Sequence, residues 1–173
     1  HVRSRRQRQM CIRDRRLLIP FYWKGDIVGF TGRMFEESNG VKYYTDVWPG
    51  YVFNMDAQDW TRKFVIVTEG PFDAIAVSGV SILGSEINDT QRELIDSLGR
   101  KVIVVPDRDA PGEKLINQAT EFGWSVAFPE WDKTVGDVAD AVSKYGRLFT
   151  IQSILRTTES SRLKIDLKRK IYG

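Results

Sequence analysis

The sequence has almost none of the side chains that build disulfides or zinc sites. Its 173 residues include one cysteine, Cys11, and one histidine, His1. A single cysteine excludes an internal disulfide, is typical of a reducing compartment and leaves no cysteine-rich zinc site in this chain. The sequence also lacks an apolar run of the ~20 residues that a membrane span needs, and no secretory leader follows its basic start. We therefore expect a cytoplasmic protein, in the host cytoplasm if viral, with no membrane partner.

Positive charge is concentrated at the start of the chain. Residues 1–16 hold seven Arg and one Asp, a net charge of +6, whereas residues 17–173 hold 19 basic and 22 acidic residues, a net charge of −3. Such a segment is either a disordered nucleic-acid arm or a non-native stretch outside the domain, with a start at Met10. We favour the second interpretation and assign this tail no function.

The remaining chain divides by pattern into three parts. Residues 17–61 alternate as three strands with turns at 24–26 and 38–40, which predicts a small antiparallel subdomain. Residues 62–146 alternate strand and helix, with strands expected at 64–68, 80–83, 102–106 and 124–128. Residues 147–173 read as C-terminal helices, the last of them basic. We therefore predict an α/β fold, in which a parallel sheet flanked by helices follows the antiparallel subdomain.

Acidic residues follow two of the predicted parallel strands. Glu69 comes directly after the strand 64–68, and Asp107 and Asp109 come directly after the strand 102–106. Ligand sites of open α/β sheets lie at this carboxyl edge, and clustered carboxylates repel one another unless a cation such as Mg²⁺ lies among them. A lone Glu at a strand end is often a surface acid, and Asp-x-Asp is often only a turn. The joint pattern, with Gly70 and Gly112 allowing close approach, favours a site.

These motifs resemble the TOPRIM domain of DnaG-type primases, of type IA and II topoisomerases and of some nucleases. The resemblance covers about residues 62–144 and implies that Glu69, Asp107 and Asp109 are catalytic and bind Mg²⁺, with Mn²⁺ as a substitute. It also implies that Gly84 and Ser85 lie in the loop beside the acidic edge.

The antiparallel part narrows the resemblance to DnaG-type primases. The segments 25–33 and 41–44 resemble the strand pair that precedes TOPRIM in those enzymes, which implies that Arg33 and Lys42 face the groove for template and nucleotide. In primases a further acidic motif completes the metal edge, and Asp137 is our choice for it, with Asp140 one turn on. The segments 137–146 and 160–170 are similar to primases of T-even-like tailed phages.

The resemblance implies a DNA primase catalytic core that makes short RNA primers. Its expected partners are a single-stranded DNA template, ribonucleoside triphosphates and a replicative helicase. The zinc ribbon and the helicase phosphate-binding loop of such systems are missing from this sequence, so we expect either a catalytic-core fragment or a primase that takes those functions from partners. Two alternatives stay open: a nuclease or topoisomerase fragment that cleaves phosphodiesters with the same acids, and a non-catalytic replication adaptor.

Overall fold

The computed structural model describes residues 16–34, 43–107 and 110–172, which form two compact units divided between Pro49 and Gly50. The strands are β1 (Arg16–Trp23), β2 (Asp26–Met34), β3 (Tyr43–Asp46), β4 (Phe64–Thr68), β5 (Val80–Ser81), β6 (Lys101–Val104), β7 (Ser125–Ala127) and β8 (Thr158–Glu159). The described helices are α1 (Pro71–Val77), α2 (Asp89–Asp96), α3 (Ala110–Glu121), α4 (Val138–Tyr145), α5 (Arg147–Thr157) and α6 (Arg162–Tyr172). None of these helices is long and apolar enough to cross a bilayer.

The first unit is a three-stranded antiparallel sheet in the order β1-β2-β3. The β1–β2 hairpin turns through Lys24 and Gly25, both at positive φ (52° and 86°), because Trp23 pairs directly with Asp26. Two central residues at positive φ define the turn that matches strand twist in two-residue hairpins. The predicted antiparallel subdomain is thus confirmed over its described residues.

The second unit contains a five-stranded sheet in the order β5-β4-β6-β7-β8. β5, β4, β6 and β7 run parallel, and β8 pairs antiparallel with β7 at the edge. β4 and β6 are almost continuous Val and Ile because helices cover both sides of the sheet. This mixed α/β architecture confirms the predicted fold class.

Alternate residues of β4 and β6 pack against different helices. On the first face of the sheet, which we call face A, Val65 and Val67 belong to the same core cluster as Ile95 of α2 and Leu115 of α3. On the opposite face, face B, Ile66 belongs to a second cluster, whose helical members include Val77, Val138 and Ile154 of α1, α4 and α5. The helix that follows β4 and the helix that follows β6 therefore lie on opposite faces.

Residues 50–61, which the sequence placed with the antiparallel part, cluster with the second unit. Phe53 donates to and accepts from Ser81 at the edge of β5, at 2.8 and 3.2 Å. The side chain of buried Gln91 adds a second tie, since its Nε2 donates to the carbonyl oxygens of Tyr51 (3.0 Å) and Ile82 (2.8 Å). The same amide also completes the capping box of α2 with Asn88.

Replacement of Gln91 by leucine should destabilise the second unit by roughly 2–4 kcal/mol, because two buried carbonyls lose their donor and the cap loses its acceptor. Urea unfolding measures this loss. Gln152→Leu, an exposed site on α5, is the matched control and should change the free energy of unfolding by less than about 0.5 kcal/mol. Equal effects of the two substitutions would contradict the role of the amide.

Candidate active site

The parallel pairing of β4 with β6 brings two of the predicted acids to one edge. Val67 is the register partner of Val104, and the ladder continues one step further, with the Val105 N–H donating to the Val67 carbonyl at 2.9 Å. The chain then leaves β4 through Glu69 and leaves β6 through Asp107. Both acids are half-buried.

Glu69 and Asp107 are in direct contact. The backbone N–H of Asp107 donates to Oε1 of Glu69 at 3.3 Å. The carbonyl oxygen of Glu69, which would take this N–H in a regular ladder, instead accepts from Oγ of Ser81 at 2.7 Å. The Glu69 carboxylate therefore takes the place of a sheet acceptor, which draws it over the start of the β6 loop.

This contact lies in the crevice of a topological switch point. β4 continues into α1 on face B, whereas β6 continues into α3 on face A, so the two loops diverge from neighbouring strands. In open α/β sheets such a divergence leaves a crevice at the carboxyl ends of the strands, and ligands bind there. The fold thus places Glu69 and Asp107 where a small anionic or metal-bound ligand can enter.

Two buried hydroxyls, which sequence reasoning missed, shape the loops of this edge. Thr68 Oγ1 donates to the carbonyl oxygens of Gly70 (3.1 Å) and Val80 (3.3 Å), and Ser81 Oγ accepts from the Leu83 N–H at 3.1 Å while it donates to Glu69. A hydroxyl at the last position of each of two adjacent strands is the signal that could have identified them.

The glycines of the edge have different local surroundings. A Cβ on Gly112 would collide with the Asp107 carbonyl oxygen, so this glycine lets α3 begin against the Asp107 loop. A Cβ on Gly70 would lie 2.7 Å from Oδ2 of Asp73. Gly84 is exposed with open space around it, and Ser85 is half-buried beside it, in the loop that follows β5. Gly84 and Ser85 therefore lie at the same sheet edge as Glu69.

Asp73 is a buried carboxylate behind this edge. Only 7% of its surface is exposed, and its Oδ1 accepts from the Ala139 N–H in the first turn of α4 at 2.9 Å. The pKa of Asp73 is raised to about 6, chiefly by burial and also by the nearby charges of Asp137 and Asp140, against the lowering effect of the Ala139 hydrogen bond. Asp73 therefore links the first turn of α1 to that of α4.

Asp137 begins α4 as its N-cap. Its Oδ1 accepts from the Asp140 N–H at 2.7 Å, a geometry typical of aspartate at helix starts. Its charge is one of those that raise the pKa of Asp73. Among the described residues, no three His, Cys, Asp or Glu side chains form a group that could hold a metal ion. Glu69, Asp107 and Asp137 therefore do not form such a group, and Asp109, the fourth predicted ligand, falls outside the described residues.

Three other residues were predicted for the site, and the structure does not place them at this sheet edge. Asp109 and Lys42 fall outside the described residues. Arg33 lies in the first unit on β2, half-buried, with its guanidinium carbon 5.6 Å from the ring centroid of Tyr43 on β3. A guanidinium at this distance from a ring is attracted to its face, and this contact holds the Arg33 side chain along the sheet.

The raised pKa of Asp73 predicts a pH-dependent stability without divalent cations. The folded state binds the Asp73 proton more tightly than the unfolded chain, so this stabilisation is complete below pH ~4 and is lost as pH rises through about 6. Asp73→Asn keeps the acceptor for Ala139 and removes the charge. It should be more stable than the parent at pH 8 by about 2–3 kcal/mol, with a flatter profile between pH 4 and 7.

Thermal or urea unfolding across pH 4–8 measures this difference. Glu121→Gln, at an exposed position at the end of α3, is the control and should leave the profile of the parent unchanged. An Asp73→Asn profile that parallels the parent would show that the carboxyl is ionised without penalty.

The fold of the chain matches those of solved primase domains. The zinc-binding and RNA polymerase domains of Aquifex aeolicus primase superpose with a TM-score of 0.68 at 23% identity, over 83% of this chain and 40% of that one. A DNA primase domain from Pseudomonas aeruginosa gives a TM-score of 0.70 at 20% identity, over 84% and 52% of the two chains. A DnaG primase catalytic domain bound to single-stranded DNA gives 0.67 at 20% identity, over 82% and 53%.

The similarity to primases is a similarity of fold, because the sequence comparisons found no matching protein. No protein-family model and no curated protein matches the sequence. The chain spans about half of the length of the solved primase chains. It therefore has the fold of the catalytic domains of DnaG-type primases over most of its own length.

Proposed function

We propose that this chain is the catalytic core of a DNA primase, a nucleotidyltransferase that makes short RNA primers on a single-stranded DNA template. The observation that carries the proposal is the contact between the Glu69 carboxylate and the Asp107 N–H at the switch point of a primase-like sheet. In this proposal residues 62–146 form a TOPRIM domain and residues 147–173 are its C-terminal helices. The affinity to primases of T-even-like phages, acting in the host cytoplasm, is part of the same proposal.

The acids of this edge fit a hard divalent cation, because Mg²⁺ prefers carboxylate oxygens. Glu69, Asp107 and Asp109 would hold it, with Asp137 completing the set. A divalent ion such as Mg²⁺ or Mn²⁺ held by these residues would lower the pKa of the primer 3′-hydroxyl and neutralise charge on the nucleotide phosphates.

The side chains and loops of this chain then position the reactants. The Asp107 N–H holds the Glu69 carboxylate in one orientation, which lowers the entropy lost when it becomes a ligand. The exposed Gly84, with Ser85, leaves room for phosphate oxygens to approach the backbone, whereas the Asp73 carboxylate fills the space beside Gly70. Arg33 and Lys42 orient phosphates of template and nucleotide by charge-assisted hydrogen bonds. Ribonucleoside triphosphates are the substrates, and a replicative helicase is the proposed partner.

The charge-removing substitutions Glu69→Gln, Asp107→Asn and Asp109→Asn should each lower primer synthesis by about 10²-fold or more. Loss of one carboxylate ligand removes several kcal/mol of charge stabilisation in the transition state. The assay follows incorporation of labelled ribonucleotides on single-stranded DNA with Mg²⁺. Thermal unfolding of each variant shows whether the fold is kept.

Glu93→Gln is the matched control, since Glu93 is an exposed carboxylate on α2 and should retain full synthesis. Full activity of Asp107→Asn would refute the assignment of the metal edge. DNA cleavage that needs Mg²⁺ but no nucleotides would identify a nuclease instead. An absence of both activities, together with no Mg²⁺ or Mn²⁺ binding in titration, would favour an adaptor.

A further inference from the structure

Trp60 is the most exposed large apolar side chain among the described residues. Its exposed fraction is 86%, next to 85% for Leu148 on α5. Tryptophan supplies a large apolar surface with one polar N–H and is usually mostly buried. An indole presented to solvent in this way loses the energy of burial, and it is therefore a candidate for contact with another molecule.

The turn that carries Trp60 is held in place by hydrogen bonds around Asp59. The Asp59 carboxylate accepts from the backbone N–H (2.9 Å) and the hydroxyl (2.7 Å) of Thr61. The Asp59 carbonyl accepts from the Arg62 N–H at 3.1 Å and from the Arg100 guanidinium at 2.7 Å. The backbone on both sides of Trp60 is thus preorganised, which reduces the entropy cost of binding to the indole.

Cationic residues lie at the edge of the sheet that adjoins this turn. Lys63 lies directly before β4, and Arg100 and Lys101 lie at the start of the neighbouring β6, where the Lys101 N–H donates to the Lys63 carbonyl at 3.2 Å. Both lysines are exposed, and neither forms an ion pair with another described residue. Their charges are therefore available to an anionic ligand.

Acidic groups of the same stretch do not cancel this charge. The segments 56–63 and 100–101 hold four basic residues and two acidic ones, which leaves a net charge of +2. Of the two acids, Asp59 accepts the hydrogen bonds of Thr61 and lies near the charges of Arg62 and Arg100, whereas Lys63 and Lys101 form no ion pair among the described residues.

We propose that Trp60, Lys63, Arg100 and Lys101, which we call the Trp60 platform, bind single-stranded nucleic acid. One unpaired base stacks on the indole, and the phosphates on either side contact the cationic side chains. Every base has a π-face, so this mode of binding tolerates any sequence. An acidic protein segment would satisfy the lysines but not the open indole face, which is why the combination favours a nucleic acid.

The platform is separate from the candidate active site. It lies at the amino ends of β4 and β6, whereas Glu69 and Asp107 lie at their carboxyl ends. The five residues of β4 span roughly 16 Å. A strand on the platform therefore makes contacts additional to those of the reacting nucleotides, and its binding does not depend on the proposed polymerase activity.

Fluorescence anisotropy with labelled dT12 and the full chain tests the platform. Trp60→Ala should weaken binding about 5- to 150-fold, the loss expected for one stacked base, and Trp60→Phe should restore most of it. With a strand of the same length that lacks bases, Trp60→Ala and the parent should bind equally. Leu148→Ala, matched in exposure on α5, should bind dT12 like the parent.

Salt titration tests the charges separately. The double substitution Lys63→Gln with Lys101→Gln should make the slope of log K against log salt concentration shallower by about 1.4, or ~0.7 for each phosphate contact. Trp60→Ala should leave this slope unchanged. Arginines of residues 1–16 add a background that is the same in every variant.

An unchanged affinity for Trp60→Ala, or the same loss with the base-free strand, would overturn the proposal. So would a parent protein that does not bind dT12. A protein that loses dT12 binding through Trp60→Ala yet makes no primers would support the platform and refute the proposed polymerase, so the two failures are distinguishable.

Discussion

The site depends on one constraint, the parallel register in which β4 pairs with β6. Phe64 lies beside Lys101 and Val67 beside Val104, so the two strands enter and leave the sheet together. Because both faces are covered, alternation of polar residues cannot set this register. The charged residues at the ends of the two strands set the register instead. A shift of two residues would bury either Lys101 or Glu69 in the apolar core, and burial of an unpaired charge costs several kcal/mol.

The acids at this edge take part in the hydrogen bonding of the main chain. Where the ladder ends, Ser81 occupies the carbonyl of Glu69, and the Glu69 carboxylate accepts the Asp107 N–H. Asp73 in turn accepts the Ala139 N–H. Each carboxylate gains a donor that stabilises its charge, and the sheet edge gains an acceptor that it would otherwise lack.

The sequence predicted those parts of the fold whose signals are local. The apolar runs located β4 and β6, at whose ends the Glu69 carboxylate accepts the Asp107 backbone N–H. The predicted convergence of the acidic side chains with Asp109 stays a prediction. Elements held by distant partners were missed. β8 has two residues and exists through its pairing with β7, and the tie of Tyr51 to Gln91 crosses 40 positions. The exposure of Trp60 could not be predicted either. In the sequence, an exposed aromatic residue in a polar turn looks the same as one whose side chain packs on the core.

The distribution of charge along the sheet connects its two edges. Carboxylates collect at the carboxyl ends of the strands, where burial and like charges raise the pKa of Asp73, whereas Lys63, Arg100 and Lys101 collect at the amino ends. A polyanion is repelled by the first edge until a cation neutralises it, and it is attracted by the second without any cofactor. At physiological salt the screening length is about 8 Å, half of the roughly 16 Å that separates the edges. If both proposals hold, the two edges would act on a nucleic acid independently, the carboxyl edge only with a bound divalent ion and the amino edge by charge and stacking alone.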